Sequence, residues 1–149
     1  MKTMTAESLS RPGAAAGVVG ALMALQVVLL GVLGSATTES VTFAGRELHW
    51  GCSFREWFGI PCPNCGMTRS VLLSLHGQLT DAVSLNPAGP LLVLGILLFS
   101  AAMFFLMAYE RRHAGAGALW ARTSITRGSL AYAAVLIVVW MGHWVRVIT

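Results

Sequence analysis

The sequence predicts an all-α integral membrane protein: three transmembrane helices, plus a short re-entrant or interfacial half-helix that follows a Cys-x-x-Cys motif. Three observations carry that prediction. Of 149 residues, 56% are hydrophobic and only 11% charged, against about 25% charged in ordinary soluble domains. The charges fall between three apolar runs, at residues 14–36, 87–109 and 128–145. A further apolar stretch, too short to span a bilayer, follows directly on Cys62-Pro63-Asn64-Cys65-Gly66. A soluble chain this small needs polar side chains over most of its surface. The composition therefore excludes a soluble enzyme, a disordered chain and a disulfide-dense secreted mini-protein.

The first run, 14–36, has Gln26 as its only strongly polar side chain. About 20 apolar residues cross the hydrocarbon core, so it is read as a spanning helix. Lys2, Arg11 and the small residues Gly34-Ser35-Ala36 also suit a cleaved signal peptide. Signal peptides, however, have apolar cores of only about 7–15 residues, and the uncleaved helix is preferred. Gly13 and Gly17 form a GxxxG, a spacing that allows close helix packing. The second run spans 87–109. The third, 128–145, ends in Trp140, His143 and Trp144, read as an aromatic belt at the headgroup level. A metal-ligand role for His143 is the sharper alternative. Residues 110–127, with Gly115 and Gly117, read as a flexible connecting loop, and there is no internal repeat.

Charge sets the expected orientation. Lys2, Arg11, Arg111, Arg112, Arg122 and Arg127 share one side if the helices alternate, and Arg46, Arg55, Arg69 and Arg146 share the other. Positively charged loops stay in the cytoplasm, so the N-terminus and the 110–127 loop are expected there, in a bacterial inner membrane, with segment 37–86 outside. The sequence pI of about 9.5 is thereby a topology signal, and no nucleic-acid partner is indicated. The expected surroundings are the lipid bilayer and a membrane-protein partner. The whole chain, 1–149, is taken as a single membrane domain.

Segment 37–86 is too long for a plain connector. Val41, Phe43, Leu48 and Trp50 alternate roughly, which suits either a hairpin turning at Ala44-Gly45 or a loop. Phe54, Trp57, Phe58 and Ile60 suit the membrane interface. Pro61 and Pro63 disfavour helix just before them. A helix is expected to begin near Met67 or Thr68 and to stop at Gly77. A second short helix would start at Thr80 or Asp81 and cover 82–85. Asn86-Pro87 read as the N-cap and first position of the second spanning helix.

Cys52, the run Gly59-Ile60-Pro61-Cys62-Pro63-Asn64-Cys65-Gly66-Met67-Thr68-Arg69, His76-Gly77, Asp81-Ala82 and Asn86-Pro87 together resemble a bacterial membrane-protein family. That family is catalogued as a domain of unknown function and is marked by Cys-Pro-x-Cys-Gly-x-Thr-Arg. Gln78 stands close to where an acidic residue is expected. The resemblance implies a membrane location and the importance of this segment, and it supplies no reaction.

Three readings of the cysteines stay open. In a structural reading, Cys52 pairs with Cys62 or Cys65 in an oxidising compartment. In a metal reading, Cys52, Cys62 and Cys65 are three ligands of a tetrahedral zinc site, with His49 or, one short helix away, His76 as the fourth. In a redox reading, Cys62 attacks and Cys65 resolves, with the helix N-terminus and Arg69 lowering the thiol pKa and Cys52 relaying electrons. Arg69 equally suits snorkelling to headgroups. Thr68, Arg69, Asp81 and Asn86 are expected to converge, Thr68 and Asp81 as caps and Arg69 paired with Asp81. Such a cluster is either architectural or an anion or lipid-headgroup site. No Ser/His/Asp triad, paired-carboxylate site, Walker loop or dinucleotide fingerprint is present.

Overall fold

The computed structural model describes residues 14–48, 52–112 and 116–149. Helix α1 (Ala14–Leu33) leads into three short strands, β1 (Gly34–Ala36), β2 (Val41–Phe43) and β3 (Arg46–Leu48). Helices α2 (Ser53–Phe58), α3 (Met67–Leu75) and α4 (Leu79–Leu85) follow, then the long helices α5 (Ala88–Arg112) and α6 (Ala116–Ile148). Three helices, α1, α5 and most of α6 from Leu119, are long and apolar enough to cross a membrane. Their outward apolar side chains, such as Val32 at 76% and Val138 at 70% exposure, make sense against lipid.

The helix boundaries differ from expectation in two places. The first helix ends at Leu33, because residues 34–36 leave it as a strand paired with 41–43, Gly34 opposite Phe43 and Ala36 opposite Val41. The expected 110–127 loop is mostly helix: α5 continues to Arg112 and α6 starts at Ala116. Hydropathy marks only the part of a helix that lipid covers, whereas Ala, Leu and Arg keep the backbone helical beyond it. The hairpin at Ala44-Gly45 is present, with φ of 50° and 77°. Two left-handed residues give the turn whose twist matches its strands. Thr37 Oγ1 closes the other connection by accepting from the backbone of Ser40 at 3.0 Å.

Small residues bring α1 against α5. A Cβ on Gly20 would stand 3.1 Å from both Met103 Cβ and the Ser100 carbonyl oxygen, and Ser100 Oγ donates to the Gly20 carbonyl at 2.8 Å. The close-packing pair is thus Gly17 and Gly20, both buried; Gly13 lies outside the described residues. Helix α6 is attached more sparsely. Tyr132 lies over Gly95 and donates to the Leu91 carbonyl, and Arg122 pairs with Glu110 at 2.5 Å. At its far end, two indoles reach the cysteine loop.

Helices α3 and α4 form a cap on the N-terminal end of α5. Its core holds Leu72, Leu73 and Ala82 together with two fully buried polar residues, Ser70 and Asn86. Ser70 Oγ lies 2.8 Å from the Ala82 carbonyl and 2.7 Å from that of Asn86, so one hydroxyl serves the end of α4. Asn86 Oδ1 accepts from the Ala88 backbone at 3.1 Å, the N-cap expected of Asn86-Pro87. Gly89 leaves the room that Ser70 fills. The small sheet leans on this cap through Leu72 above Gly34 and through His76 Nε2, 2.9 Å from the Gly34 carbonyl. That contact gives His76 a structural role at the sheet, away from the thiols.

Candidate metal centre

The cysteine loop is shaped by its backbone. Helix α2 starts one residue after Cys52 and stops at Gly59, whose φ of 71° turns the chain back. The chain then returns through Pro61 to Cys62. The Cys65 N–H donates to the Cys62 carbonyl at 3.0 Å, which curls Cys62-Pro63-Asn64-Cys65 into a tight turn. Gly66, at φ 78°, launches α3 with its carbonyl accepting from the Ser70 N–H at 2.8 Å. A side chain at Gly66 would also crowd the Leu85 carbonyl at 3.3 Å.

Three hydrogen bonds fix the proline carbonyls of this turn. Trp140 Nε1 donates to Pro63 at 2.7 Å and Trp144 Nε1 to Pro61 at 2.8 Å, while Asn86 Nδ2 lies 3.5 Å from the Pro63 carbonyl. The two tryptophans therefore do more than mark a headgroup level. An indole N–H in an apolar setting needs an acceptor, and a proline carbonyl in a turn without ladder partners is one.

This frame gathers the sulfurs. Cys52, Cys62 and Cys65 are free, partly buried, and have Sγ atoms all within 4.8 Å of one another. Cys62 Sγ and Cys65 Sγ are 3.3 Å apart. A tetrahedral zinc with bonds of about 2.3 Å would set its sulfurs about 3.8 Å apart. The described residues thus bring all three predicted cysteine ligands to one point, reachable with shifts of an ångström or less. His49 lies outside the described residues. His143 does face the loop: with Cys62, Cys65, Arg69 and Trp144 it lines a cleft of about 200 Å³.

The thiols are not equivalent. The backbone N–H of Cys62 first, then that of Arg55, then the Cys65 and Cys62 thiols point at the Cys52 sulfur and lower its pKa to about 6. Burial first, then the Cys52 and Cys62 side chains, push Cys65 up to about 12. At Cys65 the expected lowering by the helix N-terminus and Arg69 is replaced by a rise. The lowered thiol is Cys52, and Arg69 is not among the groups acting on Cys52 or Cys65. In metal-free protein, deprotonation of Cys52 begins as pH rises toward 6, so its alkylation rate climbs there and levels off above, as peptide mapping after iodoacetamide treatment will show. An ordinary thiol climbs near about pH 8.5; Cys52 reacting only in that range would contradict this geometry.

The expected convergence of Thr68, Arg69, Asp81 and Asn86 does not form. Asn86 is buried, but Thr68 and Asp81 are exposed. The left-handed Gly66 starts α3 early, which puts Thr68 inside its first turn rather than at the cap. Gln78 occupies the cap position of α4, and Asp81 falls within the helix. Arg69 is drawn off to the sheet, where its guanidinium donates to the Thr38 carbonyl. The residues that hold the site, Trp140, Trp144 and Ser70, gave no local signal for this role. Only the unusual pairing of two tryptophans four positions apart at a helix end hinted at it.

Fold and site together define a small helical membrane protein with three candidate spans and a cysteine-bearing cap at one end. Residues 52–100 match the model of a family described as a protein of unknown function, DUF2752, which bears out the resemblance to such a family. The matched stretch opens on Cys52 and contains the cap and the first half of α5. No curated protein and no solved structure matches the chain.

Proposed function

We propose that this chain is a non-enzymatic component of a bacterial inner membrane, an assembly or partner subunit whose cap is closed by a zinc ion on Cys52, Cys62 and Cys65. The observation that carries the reading is the convergence of three sulfurs within 4.8 Å. A disulfide needs two sulfurs and leaves the third unexplained. Thiolates in a tight turn suit a soft ion, with tetrahedral geometry favouring zinc. The fourth position falls to His49, three residues before Cys52 in the chain, or to His143 across the cleft. The N-terminus is assigned to the cytoplasm and the cap to the opposite side, in keeping with the arginine distribution. There the aromatic side chains of α2, with Trp57 at 82% exposure, rest at the membrane interface.

A second reading, thiol–disulfide exchange, is favoured by one observation: a thiol lowered to about pH 6 stands beside a Cys62–Cys65 pair at 3.3 Å. In it Cys52, rather than Cys62, is the attacking thiolate. One experiment separates the two. Protein purified in detergent without chelator is analysed for metal and, by alkylation and intact mass, for free thiols. One zinc per chain with three thiols that react only after chelation supports the metal reading. A metal-free protein carrying a Cys62–Cys65 disulfide overturns it and leaves the exchange reading.

A further inference from the structure

We propose that the end of the α5–α6 hairpin opposite the cysteines holds one anionic phospholipid, its phosphate on Arg122 and one acyl chain in the groove below. The groove has a volume of about 470 Å³ and lies between the two helices. On α5 its wall is Phe99, Met103 and Leu106, and Glu110 continues the same helical face. On α6 it runs from Arg122 past Ile125 to Leu130. At about 1.5 Å per residue, the α6 wall is about 12 Å long, enough for the upper part of an acyl chain.

The depth is right for a headgroup. The charge-free part of α5, residues 88–109, is about 33 Å long at that rise, close to the hydrocarbon thickness of about 30 Å. Glu110 and Arg122 therefore stand at the boundary, with the apolar groove reaching inward from them. Glu110 acts as a positioning residue. Its carboxylate, 1% exposed, accepts from Arg122 Nε at 2.5 Å, and this leaves the guanidinium, on a side chain 55% exposed, facing outward. Arg111, Arg112 and Arg127 are exposed at the same end of the hairpin. Glu110 is the one acidic residue among 110–127, and it is turned inward. A lipid phosphate thus meets a cationic rim above an apolar channel, the arrangement of basic interhelical pockets that take anionic headgroups. This site is independent of the metal reading, because it lies at the other end of the helices.

The test uses the full chain in detergent, titrated with phosphatidylglycerol or with phosphatidylcholine. Lipid per chain is counted by native mass spectrometry, and affinity is read from the rise in unfolding temperature. The wild type is expected to keep one phosphatidylglycerol and to prefer it by about tenfold or more, given the strength of arginine–anionic lipid attraction. Arg122→Gln removes the contact, but it strands Glu110, so two further variants keep the test sharp. The triple change Arg111→Gln, Arg112→Gln, Arg127→Gln is expected to reduce the preference severalfold. Leu130→Trp fills the groove at an exposed position and is expected to abolish the retained lipid. Equal affinity for the two lipids, a preference unchanged by Leu130→Trp, or a second copy of the chain covering the groove would each overturn the proposal.

Discussion

Cys52→Ser is expected to leave the purified protein without the zinc proposed for the three-sulfur site. The expected loss of affinity is more than about a hundredfold, since changes to partners one step removed from a metal already cost about 10–100-fold. Cys62→Ser and Cys65→Ser are expected to do the same, and the equality of the three is the informative part. Cys52 belongs to a different stretch of chain, joined to Cys62 through α2 and the turn at Gly59. If the Cys-x-x-Cys pair acted alone, Cys52→Ser would leave its chemistry untouched. With a shared ion, the metal ties the start of α2 to the cap, so Cys52→Ser is also expected to loosen α2 and expose the 52–62 loop to protease. Binding has a pH dependence whose sign follows from the thiols. At neutral pH Cys52, lowered to about 6, is already ionised, whereas Cys65, raised to about 12, must give up a proton to bind. Affinity therefore rises with pH, because binding releases that proton. Elemental analysis across the variants, and zinc competition with a chromophoric chelator at several pH values, check both statements.

Gly89→Ala is expected to be the most damaging single methyl in the cap. The new Cβ would lie 2.6 Å from Ser70 Cβ and 3.1 Å from the Ser70 carbonyl carbon, and would also meet the Ser70 hydroxyl. Ser70 has no room to move, because it is fully buried and bonded to the end of α4. Overpacking of this kind costs about 1–3 kcal/mol. Displacing the hydroxyl adds to it by leaving buried carbonyls short of a donor. Ser70→Gly in the same chain removes the two side-chain atoms that the methyl meets, leaves the backbone carbon, and recovers part of the loss. Gly128→Ala is the matched control: nothing lies within 4 Å of its Cβ, and it is expected to stabilise by about 0.5–1 kcal/mol through helix propensity. Denaturant unfolding in micelles, followed by tryptophan fluorescence, ranks the four proteins. Equal stability for Gly89→Ala and Gly128→Ala would contradict the packing of the cap.

The features that local chemistry dictates were legible in the sequence. The apolar runs gave the spans, the alternation of Val41, Phe43 and Leu48 made a hairpin at Ala44-Gly45 one of two readings, and Asn86-Pro87 gave a helix start. The three cysteines were legible as a set, though not their unequal acidity, which depends on which backbone N–H groups point at Cys52. The supports were not legible. Whether Trp140 and Trp144 donate to a headgroup or to a proline carbonyl depends on where α6 ends relative to a loop about eighty residues away in the chain. Arg69 has several acceptors within reach of its long side chain, and the sheet supplied the one it takes. The start of α6 was missed because residues 116–127 are polar enough to look like a loop and contain good helix formers.

X-ray absorption at the zinc edge of the purified wild-type protein tests the central claim most directly. One zinc per chain is expected, with three sulfur neighbours at about 2.3 Å and one nitrogen neighbour at about 2.0–2.1 Å. A shell of two sulfurs, or a protein that holds no metal after growth and purification with zinc and carries a disulfide within the cluster, would contradict it.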